Sequence, residues 1–100
     1  MSTPYEAIQT EDRRLVVLRS LKESGGYKAS EYVLLQLLEY WGHAVATDRL
    51  RTDLAWLAEQ GLVTVADVAG VQVATLTGRG LDVSLGRAVQ PGVKRPMPGA

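Results

Sequence analysis

Apolar residues recur at helical spacing through the first sixty positions of the chain and at a spacing of two after that. From Arg13 to Glu23, Leu15, Val17, Leu18 and Leu21 gather on one face of a helix, and Val16 points the other way. Thr10 suits the N-cap of that helix, with Glu11 and Asp12 where early acids favour the helix dipole. Residues 1–10 read as a lead-in, and Ser24-Gly25-Gly26 as the stop. Tyr27-Lys28-Ala29 is too short for a helix and reads as a loop or a minimal strand. Ser30 caps a second helix, Glu31 to about Trp41, whose stripe of Leu34, Leu37, Leu38 and Trp41 is widened by Val33, Leu35 and Tyr40. A helix this apolar is expected to be buried on most of its circumference. Thr47 suits the N-cap of a third helix running to Gln60, with Gly61 just past its end and Leu50, Leu54, Leu57 and Ala58 facing the core.

The β-branched runs 62–68 and 71–77 then alternate with period two, separated by Ala69-Gly70. This pattern predicts a β-hairpin with Gly70 at positive φ. Thr77 caps a short fourth helix, about Arg79 to Ala88, weakened by its glycines. The Pro- and Gly-rich stretch from Gln90 onward reads as a disordered tail. The expected division is therefore a folded domain over 1–89 and a flexible tail over 90–100. The class is α+β, mostly α.

Three helices followed by a tight hairpin is the order of a winged helix-turn-helix. In that arrangement helices two and three are joined by a short turn, and the hairpin forms the wing. Residues 27–29 then supply the small strand that pairs with the wing.

Composition narrows the chemistry. One hundred residues make one domain, and an apolar share of 46% provides a core. Eleven cations balance eleven acids, which argues against a binder driven by bulk positive charge. No Cys is present, so disulfides, thiol catalysis and Cys-based metal sites are excluded, and one His does not build a His-based metal site. No cofactor is expected. No apolar run has the length of a membrane span, and residues 1–6 lack the basic start and apolar core of a signal peptide. The expected location is the cytoplasm. No nucleophile or acid–base constellation and no phosphate-loop context surrounds any residue, so an enzyme is not expected.

Two segments carry a resemblance. Leu54-Ala55-Trp56-Leu57-Ala58-Glu59-Gln60-Gly61-Leu62-Val63 resembles the recognition-helix end of winged-helix regulators, and Leu76-Thr77-Gly78-Arg79-Gly80 the capped helix start after their wing. Together with Tyr5-Glu6-Ala7-Ile8, Glu11-Asp12-Arg13-Arg14-Leu15, Arg51-Thr52-Asp53 and Gly92-Val93-Lys94-Arg95-Pro96, they make nearly the whole chain similar to a family of small proteins of Mu-like phages and prophages, often labelled ArsR-type regulators. That resemblance implies a winged helix, a phage origin and the cytoplasm of a bacterial host. Metal sensing in that regulator class uses Cys or His clusters, which this sequence lacks.

The candidate DNA-binding face is the start of the third helix: Thr47, Asp48, Arg49, Arg51 and Thr52. Arg49 and Arg51 suit guanine or phosphate. The plainer alternative is a solvated face with the arginines paired to Asp48 and Asp53. Charge weighs against DNA, since residues 28–61 hold three cations against five acids and residues 66–72 of the wing hold no cation. Lys94 and Arg95 lie in the basic stretch and suit a flexible arm along a phosphate backbone. Trp56 falls on the outward side of helix three. It is either an interface anchor or a ring covered by the fourth helix or the tail. Val16, with Tyr5 and Ile8, suits a homodimer seam, whereas Tyr40 and Trp41 read as core and His43 as a solvated turn residue. Two functions follow: a double-stranded-DNA-binding regulator or accessory factor acting as a homodimer, and a protein-interaction module that does not bind DNA.

Overall fold

The computed structural model describes residues 3–97. Helix α1 runs Pro4–Glu23, and a 3-10 turn over Gly25–Tyr27 leads into strand β1, Lys28–Ser30. Helices α2 (Glu31–Tyr40) and α3 (Thr47–Glu59) follow. Strands β2 (Val63–Val68) and β3 (Val71–Leu76) form the hairpin, and α4 spans Gly78–Leu85. Among the described residues the protein is thus a mostly helical α+β fold with four α-helices and one antiparallel sheet, in strand order β1-β3-β2. None of the described helices is long and apolar enough to cross a membrane.

The N-cap of helix α1 is Thr3, seven residues before the expected cap at Thr10, which lies inside the helix. The signal is Thr3-Pro4-Tyr5-Glu6. The Thr3 hydroxyl accepts from the Glu6 N–H, and the Glu6 carboxylate accepts from the Thr3 N–H, with Pro4 in the first turn. That reciprocal pair, plus a proline with its φ already set, outweighs a lone threonine further on. Thr47 is likewise not a cap: Ala46 is, through its backbone alone, and Thr47 is the first helical residue.

The hairpin forms as the period-two pattern predicts. All six residues of β2 pair with β3 in order, from Val63 opposite Leu76 to Val68 opposite Val71. Ala69 (φ 53°) and Gly70 (φ 83°) both take left-handed backbone, the geometry of a two-residue turn matched to strand twist. The Asp67 side chain accepts the Gly70 N–H at 2.9 Å.

The core is aliphatic. Leu15, Leu18 and Leu21 of α1 meet Leu34 and Leu38 of α2, Leu50, Leu54 and Leu57 of α3, then Leu62, Ala74, Leu76 and Val83. Helix α2 departs from expectation. Its buried residues are Glu31, Leu34 and Leu38 alone, while Tyr32, Val33 and Tyr40 are exposed. Neighbours cover one side of this ten-residue helix, so its remaining apolar groups face outward. Trp41 sits just past the last turn and is 63% exposed, not core.

The stretch after residue 89 is not free over its first part. Val93 is buried in the core, its neighbour Lys94 donates its N–H to the Glu11 carbonyl, and the Gly92 carbonyl accepts from Arg14 at 2.9 Å. Pro91-Gly92 makes a turn that aims Val93 inward, so prolines read as disorder serve here as a bend. Residues 98–100 of the expected tail lie outside the described residues.

Candidate nucleic-acid interface

The outer face of α3 carries Asp48, Arg49, Thr52, Ala55 and Glu59, all exposed. Arg49 extends from it with no acidic partner among the described residues. The Thr52 hydroxyl donates to the Asp48 carbonyl one turn back, which leaves its oxygen outward as an acceptor. Thr47 is half-buried at the helix start.

Arg51 departs from the expected outward role. Its guanidinium donates twice to the Glu31 carboxylate, 2.9 Å on each arm, and once to the Gly70 carbonyl at 3.0 Å. Glu31 is buried and also accepts the N–H of Gln72. That N–H points out of β3 on the side where β1 has already ended, so the carboxylate takes the place of a missing strand residue. Glu31 and Arg51 together therefore tie α2 and α3 to the hairpin turn at Gly70 and to the start of β3. Arg51 thus fastens the hairpin, and its guanidinium is already engaged by Glu31 and Gly70. The hydrogen bonds from Arg51 and then Gln72 hold the Glu31 carboxyl below the usual carboxylate range, and Glu31 in turn raises Arg51.

The alternative pairing of the arginines with Asp53 does not occur either. Asp53 is buried and paired with Arg13 of α1, also buried, through Nε and through Nη2 at 3.3 Å. This pair fixes the inner side of α3 to α1.

Lys94 and Arg95 are exposed, and Lys94 is held against α1 by its N–H on the Glu11 carbonyl. Lys94 reaches the Asp12 carboxylate at 3.4 Å, and the other Asp12 oxygen lies 2.7 Å from Nε2 of His43. His43 is therefore a buried link between α1 and the α2–α3 turn, not a solvated turn residue. Burial pushes the Asp12 carboxyl up, but the His43 bond and the Lys94 charge outweigh it and leave it lowered. None of these contacts involves the α3 face, so the two halves of the expected DNA-binding set are held by different anchors.

Trp56 is half-buried. The Arg14 guanidinium stacks 3.8 Å from its ring centroid, and Gly92 lies over its edge. The tail reading of its cover is the one that holds. Burial lowers Arg14 from its ordinary value. Val16, expected at a homodimer seam, packs on the core within the chain and lines a cleft of about 460 Å3 with Leu37 and Trp41. Tyr40 and Trp41 form an exposed aromatic pair, edge to face with centroids 5.2 Å apart. Trp41 also borders a second cleft with Ile8, His43 and Lys94. Among the described residues, no group of His, Cys, Asp and Glu is arranged to hold a metal.

The Glu31 network predicts an acid limb. Its folded-state value is lowered, so its contribution to stability is complete above the unfolded value of about 4.3 and is lost as pH falls through the lower folded value. Glu31→Gln is expected to be less stable than wild type at neutral pH in urea denaturation. The gap should close as pH falls from about 5 through the lowered folded-state value. A gap independent of pH would show that the carboxylate charge is not what Arg51 and Gln72 hold.

No family model matches the chain, and no solved structure matches it. A protein of Escherichia phage Mu, "Uncharacterized protein gp26", is 53% identical over 93 residues, covering 93% of this chain and 96% of its own length. An "Uncharacterized protein" of Haemophilus influenzae is 43% identical over 81 residues, covering 80% of this chain and 78% of its own. With identity this high across almost all of both sequences, the chain belongs to the family of the phage Mu protein gp26.

Proposed function

We propose that the protein is a winged-helix DNA-binding protein, a regulator or accessory factor of a Mu-like phage that acts as a homodimer in the host cytoplasm and not as an enzyme. The element order and the β1-β3-β2 sheet support the winged-helix reading. The observation that carries the DNA reading is the outer face of α3. Arg49 and Thr52 stand exposed one turn apart, Ala55 beyond them leaves room for a groove edge, and the hairpin is fastened beside that helix through Arg51.

The charges set the expected strength. Arg51 and Lys94 are engaged with acids, and Asp48, Glu59 and Asp67 are exposed nearby, so each copy offers few cations to phosphate. Binding to duplex DNA is therefore expected to be modest. With Arg49 and Arg95 the cations of the candidate set that have no acidic partner among the described residues, the slope of log affinity against log salt should be only about −1 to −2 per copy. Arg49→Ala should cost about 1–3 kcal/mol if the side chain reads a guanine, and less, with a shallower slope, if it meets phosphate. Absence of duplex binding at low salt would overturn the reading.

A second reading, a protein-interaction module, is favoured by a different observation. Tyr5, Ile8, Tyr40 and Trp41 are each more than half exposed at one end of α1 and α2. The anchor under that reading is Trp41 and not the covered Trp56.

A further inference from the structure

The sheet guards its two edges differently. The β1 edge is three residues long, begins with Lys28, and is continued by the Glu31 carboxylate, which takes the Gln72 N–H where the strand runs out. The β2 edge has no such protection. It is six residues long, pairs with β3 without a bulge, contains no Lys, Arg or Pro, and is exposed from Thr64 to Val68. Unbroken edges without Lys, Arg or Pro are templates for another strand, and proteins that do not use them usually blunt them.

The pairing shows which groups are open. A two-residue turn closes on Val68 and Val71 as a hydrogen-bonded pair, and alternation along an antiparallel ladder then turns Val68, Ala66 and Thr64 inward to β3. The Thr77 N–H bonding the Leu62 carbonyl at 3.1 Å continues the same phase. The main-chain N–H and C=O of Val65 and Asp67 therefore point away from the sheet, and neither residue's backbone has a partner outside the β2–β3 ladder among the described residues.

We infer that the β2 edge pairs antiparallel with β2 of a second copy, centred on Val65, making one continuous six-stranded sheet across a two-fold axis. This names the seam of the homodimer proposed above and is independent of whether DNA is bound. A second copy fits because the strand is complementary to itself. With Val65 opposite the partner's Val65, the outward groups of one strand meet the outward groups of the other, and Thr64 lies opposite the partner's Ala66, two small side chains. Each Asp67 lies opposite the partner's Val63, so the two carboxylates stand about 13 Å apart, four strand residues, beyond the screening length of about 8 Å at physiological salt. The face also matches. Val63 and Val65 share the core side with Ala74 and Leu76, and a two-fold axis normal to the sheet keeps that side common to both copies. Val65, 36% exposed in the single chain, gains cover from its symmetry mate. The net charge of zero adds no long-range repulsion.

The test is sedimentation velocity of the full chain over a concentration series, with amide exchange at the same concentrations. Wild type is expected to dimerise, and the amides of Val65 and Asp67 should slow as concentration rises. Val65→Pro removes an outward N–H that the chain itself does not use, so the hairpin tolerates it while the seam does not. Thr64→Lys with Ala66→Lys places like charges directly across the seam on exposed positions and should weaken association by roughly tenfold or more. Circular dichroism reports whether each variant keeps its helices, and the double-lysine variant decides the matter if the proline one unfolds. A monomeric wild type, or a dimer that survives both variants, overturns the inference. In the second case the clefts around Trp41 become the seam. Duplex binding measured separately keeps this outcome distinct from that of the DNA reading.

Discussion

Asp53→Ala is expected to destabilise the protein by about 3–5 kcal/mol, the largest single loss available outside the aliphatic core. The substitution leaves the Arg13 guanidinium, itself 6% exposed, without the carboxylate that compensates its burial. The lost attraction matters less than the cost of an unpaired cation between α1 and α3. Arg13→Ala should therefore be similarly damaging from the other side. The double variant Arg13→Met with Asp53→Leu should recover most of the stability, because it removes both charges and keeps the volume. Urea denaturation of the four proteins checks this. If the double variant loses the sum of the two single losses, the pair is not the coupled unit that its geometry implies.

Gly80→Ala is expected to cost at least about 3 kcal/mol, at the upper end of overpacking losses. A Cβ at this position overlaps the carbonyl oxygen of Leu62 and lies 2.7 Å from Cδ1 of Leu76. The first obstacle is backbone and is engaged in turn by the Thr77 N–H, so it has nowhere to move. The consequence is displacement of α4 from α1 and from the base of the hairpin. By contrast, Gly78→Ala, where a Cβ meets nothing within 4 Å, should be close to neutral or mildly stabilising in the same thermal-unfolding measurement. Equal losses at the two positions would show that helix propensity, not contact, governs the site.

Local pattern carried much of the architecture. The leucine stripes of α1 and α3, the Ser30 and Thr77 caps and the Ala69-Gly70 turn all appear where their spacing predicts them. Each of these is decided by residues within one or two turns of one another. The contacts that define the candidate interface are not of that kind. Arg13 meets Asp53 forty residues away, Arg51 meets Glu31 twenty away, and His43 meets Asp12 thirty-one away. A helical wheel says that Arg51 faces outward but not that a carboxylate from α2 waits there. The two tryptophans show the same limit. Trp56 does lie off the core stripe, but Arg14 and Gly92 cover it. Trp41 fits the stripe of α2, yet the helix ends just before it and most of the ring faces outward. The start of α1 was legible in Thr3-Pro4-Tyr5-Glu6, where the capping pair and proline coincide.

The cover over Trp56 also has a place in time. Lys94 and Asp12 are separated by 82 positions, so on a ribosome the helix that receives residues 91–94 is made long before they emerge. Until they do, the core is short of Val93, Arg14 stacks on an indole whose other edge is open to water, and the nascent chain offers a chaperone the ring that the finished protein hides. That contact cannot close until residues 91–94 are made, and the intrinsic fluorescence of Trp56 would record its closing.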